Sequence, residues 1–267
     1  MIDRSDLPDG KDLQIRAFVL CGGLGTRLRP VLSDRPKSMA PVGGVPFLQL
    51  LLEDLKAQGI GEVILGTGYM ADQVQAFFRR GEEFGLRVCY SREDEPLGTG
   101  GALKLAEPLL SDPVVVLNGD SYVEWSLAAT RDLFVQEDAS VVMILQSVPD
   151  VARYGSVTIE PGGRVTEFVE KGTRAGAGLI NAGVYLVRKE IVATLPAGEA
   201  VSLERDVFPR LLHGKVYGLV SEGLFIDIGV PADLERAQRA SALTICAISA
   251  VNCSLRLCTN STQVARA

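Results

Sequence analysis

The chain has 267 residues, 47% hydrophobic and 22% charged, the balance of a globular protein with enough length for a sizeable core. A net charge of −6 excludes general nucleic-acid binding, which needs an excess of phosphate-neutralising cations. No apolar run approaches the roughly 20 residues that span a bilayer, and the polar start MIDRSDLPDGKDLQ lacks a secretory h-region, so no membrane association and a cytoplasmic location are expected.

Apolar runs and amphipathic stretches alternate from residue 15 onward. IRAFVL (15–20), EVILG (62–66), LRVCY (86–90), PVVVLN (113–118) and SVVMIL (140–145) read as strands. FLQLLLEDLKAQG, ADQVQAFFRRG, GGALKLAEPLL and SLAATRDLFVQ carry helical spacing, and Gly59 and Gly81 stand where C′ residues close the first two. This rhythm predicts βαβ units and an α/β fold with a mainly parallel sheet flanked by helices. Beyond residue 150, YGSVTIEPGGRVTEFVEK alternates about a Pro-Gly-Gly turn and predicts a β-hairpin, followed by a strand at LINAGVYLV. SLERDVFPRLL predicts a helix capped by Ser202, with His213 near its C-terminal end. The second half is expected to be a small mixed or antiparallel β extension closing over the first. The tail from about 241 holds three of the five cysteines, almost no charge and no clear period, and is assigned no function.

The cysteines lack CxxC spacing and His213 is the only histidine, so neither a zinc site nor a histidine base is indicated. The chemistry concentrates in CGGLGTRLRPVLSDRPK (21–37), after the first strand. Gly22, Gly23 and Gly25 imply positive φ or close approach to something bulky, and Arg27, Arg29, Arg35 and Lys37 imply that it is anionic. An ordinary βα turn with solvated charges stays open as the simpler reading. A dinucleotide fingerprint fits poorly, because Leu28 stands where its third glycine belongs, and the GK[ST] of a Walker loop is missing.

With Gly22, Gly23, Gly25, Thr26, Arg27, Leu28, Pro30, Pro36 and Lys37, the segment resembles the GGxGTRLxP…PK signature of the sugar-1-phosphate nucleotidyltransferases. Further motifs follow in order: EPLGTGGAL (95–103), LNGD ending at Asp120, Glu170-Lys171, Asn181-Ala182-Gly183 and FIDIG with Asp227. The resemblance covers roughly residues 15 to 240. It implies a Rossmann-like, GT-A-like nucleotide-diphospho-sugar transferase domain over residues 1–240, with a nucleotide half at about 15–150 and a sugar half at about 151–240.

The resemblance also implies roles. Leu20, Gly22, Gly23, Gly25, Thr26, Gly98, Thr99, Gly100 and Asp120 would contact the nucleotide, while Arg27 and Lys37 would neutralise phosphate charge during catalysis. Lys171, with Glu170, Asn181 and Gly183, would hold the sugar phosphate and the sugar, and Asp120 with Asp227 would bind Mg²⁺. By the residues alone, Thr99 could equally be a helix cap and Lys171 a solvated strand-end charge. The partners implied are a nucleoside triphosphate, GTP foremost, and a sugar 1-phosphate, and a homo-oligomer is left open.

Within the family, NGDSY, SLERDVFP and GLFIDIG look most like the branch acting on D-glycero-α-D-manno-heptose 1-phosphate in capsule or lipopolysaccharide synthesis. Cys21 stands where many relatives have alanine, and Ser38 where many have proline. Mannose 1-phosphate with GTP, or glucose 1-phosphate with dTTP or UTP, remain open substrates. A non-catalytic sugar-nucleotide-binding subunit is the alternative of another class.

Overall fold

The computed structural model describes residues 14–28, 30–169 and 172–238; Arg29, Glu170, Lys171 and the tail lie outside them. Chain order begins β1 (Arg16–Leu20), β2 (Pro41–Val42), β3 (Val45–Pro46), α1 (Phe47–Ala57), β4 (Glu62–Thr67), α2 (Ala71–Phe78) and β5 (Arg87–Arg92). It continues with α3 (Gly98–Leu105), β6 (Val114–Asn118), β7 (Ser121–Val123), α4 (Leu127–Gln136), β8 (Val141–Val148), β9 (Ser156–Ile159) and β10 (Val165–Val169). Then come β11 (Gly178–Val187), α5 (Lys189–Ala193), α6 (Phe208–Leu211), β12 (Val216–Ser221), β13 (Phe225–Asp227) and a final helix, α7, at 231–238. No helix of the described residues is long and apolar enough to cross a membrane.

The main sheet runs β10-β9-β11-β6-β1-β4-β5, with β8 joined to β11 and β12 to β8. β1 lies between β4 and β6, parallel to both, and Ala17, Phe18 and Val19 have no exposed surface. Such continuous apolar runs suit strands covered on both faces. One cover comes from α1, which buries Leu48, Leu51, Leu52 and Leu55 at helical spacing. Each is worth about 1.5–3 kcal/mol relative to exposure. Gly59, at φ +89°, ends α1 in a Schellman arrangement: its N–H meets the Lys56 carbonyl (3.0 Å) and Ile60 N–H meets that of Leu55 (3.0 Å).

Gly81 does not play the same part. Helix α2 stops at Phe78 because Arg79 turns to φ 47°, which leaves Gly81 one position beyond C′. The second half also departs from expectation, since it continues the first-half sheet instead of closing over it. β11 takes the slot beside β6, antiparallel, and β8 is thereby displaced to β11's other side, where β12 pairs parallel with it. The predicted hairpin is present as β9 and β10, with a register shift between Val165 and Glu167.

The predicted helix at 202–211 is a π-turn, Leu203–Val207, leading into α6. Ser202 caps it as expected, its Oγ accepting from Arg205 N–H (3.2 Å), while Pro209 has no N–H to continue a regular ladder. His213 lies in the exposed turn after α6.

One buried charge belongs to the scaffold. Asp54 of α1 is 6% exposed, and its Oδ2 accepts from Gln58 Nε2 (3.0 Å) and Trp125 Nε1 (3.2 Å). Burial pushes its carboxyl from 3.8 up to about 6, outweighing both hydrogen bonds. The folded chain thus holds this proton more tightly than the unfolded one. The resulting stabilisation is full below 3.8 and is lost as pH rises through about 6. Asp54→Asn should remove this dependence. Denaturant titrations at pH 4 and pH 7 are expected to show the variant gaining roughly 2 kcal/mol on the unaltered protein between the two.

Candidate active site

The parallel strands β1, β4 and β6 all release their chain at one edge of the sheet, the edge where open α/β sheets place ligands. Three loops meet there, bonded through their backbones: Gly119 N–H to Leu20 O (2.9 Å), Cys21 N–H to Gly66 O (2.9 Å) and Tyr69 N–H to Gly22 O (3.2 Å). Such closeness leaves no room for side chains at two positions. A Cβ on Gly22 would lie 2.5 Å from Glu93 Oε1, and one on Gly119 would lie 2.5 Å from Leu20 O. Gly25 is glycine for another reason, its φ of +57°. Gly23 alone faces open space.

Leu28, 1% exposed, anchors the far end of the glycine loop in the core. Between these supports lies a cavity of about 190 Å³, lined by Leu20, Gly23, Gly25, Thr26, Arg27, Lys37 and Asp120 among others. Cys21 also lines it, and burial followed by the charge of Glu93 pushes its thiol up to about 12, so it stays neutral. Arg35 is spent on Asp34 beside it, through bonds of 2.6 and 3.0 Å.

Asp120 and Asp227 are brought together by the two-stranded sheet of β7 and β13. Its register sets Asp227 opposite Ser121, and Ile228 N–H bonds the Asp120 carbonyl (3.0 Å). Lys37 Nζ forms a short ion pair with Asp120 Oδ2. Asp227 Oδ1 accepts from Gly229 N–H (2.6 Å), yet burial, then the neighbouring charge of Asp120, holds its carboxyl above the ordinary value.

Two converging carboxylates of this kind fit a small divalent cation. Mg²⁺ is commonly held by one or two carboxylates, with phosphate oxygens and water completing the shell. Among the described residues no three His, Cys, Asp or Glu side chains gather to hold a metal without such help.

A second cavity of about 500 Å³ opens from the same place and shares Arg27 and Asp120 with the first. Asn181, Asp227, Thr99, Tyr154 and Glu204 are among its lining residues. A continuous polar chain runs along its wall. Asn181 Nδ2 donates to the Tyr185 hydroxyl (2.6 Å), Tyr185 donates to Glu204 Oε1 (3.2 Å), and Glu204 Oε2 accepts from Thr99 (2.8 Å) and Ser202 (3.0 Å). Asn181 Oδ1 is taken by Gly183 N–H (3.0 Å).

Several candidates also have a part in the architecture. Gly183, at φ +81°, lies where β11 breaks register, and a Cβ there would meet Asn118 Nδ2 at 2.5 Å. Gly98 and Gly100 admit the Val201 backbone, whose carbonyl accepts from Gly100 N–H (2.8 Å). None of these three lines either cavity. Thr99 is no helix cap: α3 begins after Leu97 without a side-chain cap, and Thr99 accepts from Leu203 N–H (2.8 Å) while reaching the second cavity.

Tyr154, Gly155 and Glu204 line the second cavity and were passed over in the sequence reasoning. The Tyr-Gly that opens the hairpin was visible, but Glu204 read as ordinary first-turn helix charge.

The nucleotidyl transferase family model matches residues 16–242. A D-glycero-alpha-D-manno-heptose 1-phosphate guanylyltransferase of Aneurinibacillus thermoaerophilus is 40% identical over 228 residues, covering 84% of this chain and 97% of that protein. A mannose-1-phosphate guanylyltransferase of Mycobacterium tuberculosis is also 40% identical over 227 residues, 84% of this chain, but the chain spans only 63% of its length. The crystal structure of HddC from Yersinia pseudotuberculosis complexed with GMP-PN superposes with a TM-score of 0.75 at 36% identity, over 85% of this chain and 99% of that one. The chain belongs to the nucleotidyl transferase family.

Proposed function

We propose that the protein transfers a guanylyl group from GTP to a sugar 1-phosphate, D-glycero-α-D-manno-heptose 1-phosphate foremost, releasing pyrophosphate. The observation that carries this reading is the meeting of two cavities at Arg27 and Asp120, with Lys37 and Asp227 beside them. The smaller cavity suits a polyphosphate, with the glycine loop as floor and Arg27 and Lys37 as counter-charge. The larger, walled by hydrogen-bonding side chains, suits a polyhydroxylated sugar.

In the reaction a phosphate oxygen of the sugar 1-phosphate attacks the α-phosphorus of the nucleotide, and the bond to pyrophosphate breaks. That oxygen is already ionised at neutral pH, so no general base is required, which accords with a site lacking histidine. Alignment and charge neutralisation then supply most of the acceleration. Arg27 neutralises the departing pyrophosphate, Lys37 bridges nucleotide phosphates near the reacting atom, and Lys171 holds the sugar phosphate. Asp120 and Asp227 would hold Mg²⁺, which supplies Lewis-acid polarisation of phosphate oxygens when bound. The cytoplasm is the compartment this reading assigns to the reaction.

Mannose 1-phosphate is the second reading, favoured by the Mycobacterium relative. Purified protein with Mg²⁺ should be offered GTP, ATP, UTP and dTTP against heptose, mannose and glucose 1-phosphates, with nucleotide-sugar read by chromatography. GDP-heptose is the expected main product. A main product of GDP-mannose would transfer the assignment to the second reading, and a UDP- or dTDP-sugar would remove guanylyl transfer.

Two substitutions test the roles. Lys37→Ala should lower kcat by about 10²–10³ with the fold intact by circular dichroism. Asp227→Asn removes a like-charge neighbour of Asp120, so thermal stability should hold or rise while Mn²⁺ binding, measured by calorimetry in the presence of nucleotide, weakens at least about tenfold. Unchanged Mn²⁺ affinity would move the cation elsewhere.

A further inference from the structure

Tyr154 reaches the larger cavity from the 150–155 segment, which joins β8 to β9. That segment is tied on one side to residues 172–176. Asp150 Oδ1 accepts from Gly176 N–H (3.0 Å), Val151 N–H meets Gly176 O (3.0 Å), and Gly172 N–H meets Ala152 O (3.2 Å). Its other tie is to α7. Arg153 makes a forked contact with Asp233, Nη2 closely to Oδ2 and Nη1 to Oδ1 at 3.5 Å. Asp233 is 2% exposed although Arg153 is 53% exposed, and Arg236 Nη2 also pairs closely with Oδ1 of the same carboxylate.

A buried carboxylate is unfavourable unless paired, and simple packing of α7 would be served by an apolar side chain at 233. The pair does more than pack. The Arg153 guanidinium lies 5.8 Å from the centroid of the Tyr154 ring, and that ring meets Phe225 edge-on at 6.0 Å. Phe225 stands two residues before Asp227 on β13, and only Ile228, Gly229 and Val230 separate Asp227 from α7. Behind Tyr154 lies a further cavity of about 510 Å³, which Arg153, Phe225 and Asp233 also line. Tyr154 is therefore a partition with space on both sides.

We propose that Asp233 is a positioning residue for the sugar 1-phosphate: through Arg153 it keeps Tyr154 on the wall of the larger cavity and fixes that wall to the strand carrying Asp227. This rests on the sugar-phosphate reading of that cavity. Released from Arg153, the ring can retreat into the space behind it, and the sugar loses a wall while the glycine loop keeps the nucleotide.

The test compares Arg153→Ala, Arg153→Lys and Asp233→Asn with the unaltered protein. Arg153→Ala leaves Asp233 paired with Arg236, so the fold should persist. Its KM for the sugar 1-phosphate should rise about tenfold, the scale of one charged hydrogen bond, with KM for GTP within about twofold. Arg153→Lys should recover most of that loss, and Asp233→Asn combined with Arg153→Ala should be no worse than either alone. Amide exchange of the unliganded variants should quicken at 151–155 and stay slow in β1 and β6.

Unchanged sugar KM with unchanged exchange, or equal rises in both KM values, would overturn the clamp. Absence of sugar 1-phosphate turnover by the unaltered protein would instead remove the reading beneath it.

Discussion

Two like charges must be held side by side while their backbone is anchored, and the site depends on how that is done. Asp120 and Asp227 lie more than a hundred residues apart in sequence, and no helix or tight turn joins them. The three-residue ladder of β7 and β13 performs the pairing, with the Ile228 N–H to Asp120 carbonyl bond extending it past the last strand residue. Backbone hydrogen bonds set this geometry, so it does not depend on favourable chemistry between the side chains. The carboxylates repel each other, and Lys37 relieves one of them through its ion pair. Local electrostatic cost is carried by a scaffold that is otherwise apolar and buried.

The same logic explains why the second half of the chain is joined to the first through the sheet. β11 pairs with β6 over Val184–Val187, with β9 at Leu179 and Ile180, and with β8 at both ends of its length, Gly178 to Asn181 and Tyr185 to Val187. Asn181, near the break in register, therefore sits at a fixed distance from the end of β6, where Asn118 leads into Gly119 and Asp120. Gly183 permits the break, since any Cβ would strike Asn118. Asn181 and Asp120, which the proposed reaction sets on its sugar and phosphate sides, are thus positioned by one continuous hydrogen-bonded surface. In-line transfer tolerates little misplacement, and a shared sheet is stiffer than a hinge.

Much of this was legible in the residues. Parallel strands announce themselves as short apolar runs with glycine at or soon after their ends, as in RAFVL, EVILG and VVVLN. The glycine loop stood out through the family signature it carries, since on the residues alone an ordinary βα turn with solvated charges stayed open. Other features depended on partners far along the chain. Thr99 looked like a helix cap because its neighbours are helical, whereas its hydroxyl serves Glu204, 105 residues away. β7 and β13 are three residues each, too short for a period to show. β8 carried a clear strand pattern, but alternation says nothing about which neighbour a strand takes. Gly81 fitted a C′ residue by spacing, and only the left-handed turn at Arg79 moved the helix end forward.

Charge closes the account of why the site takes the form it does. The chain is net negative, and beyond about 8 Å at physiological salt its general field is screened, so attraction of a polyanion is decided locally. Around the junction of the two cavities, Arg27 and Lys37 are balanced by Asp120 and Asp227, which leaves those four side chains with no net positive charge. A nucleotide arriving alone would find no surplus attraction there and two carboxylates opposing its phosphates. In the proposed reaction a divalent ion would reverse the balance, with Asp120 and Asp227 as its ligands and Lys37 free to turn to phosphate. The ion pair between Lys37 and Asp120 would, on the proposed reading, be exchanged for contacts of the lysine with phosphate and of the carboxylate with the cation.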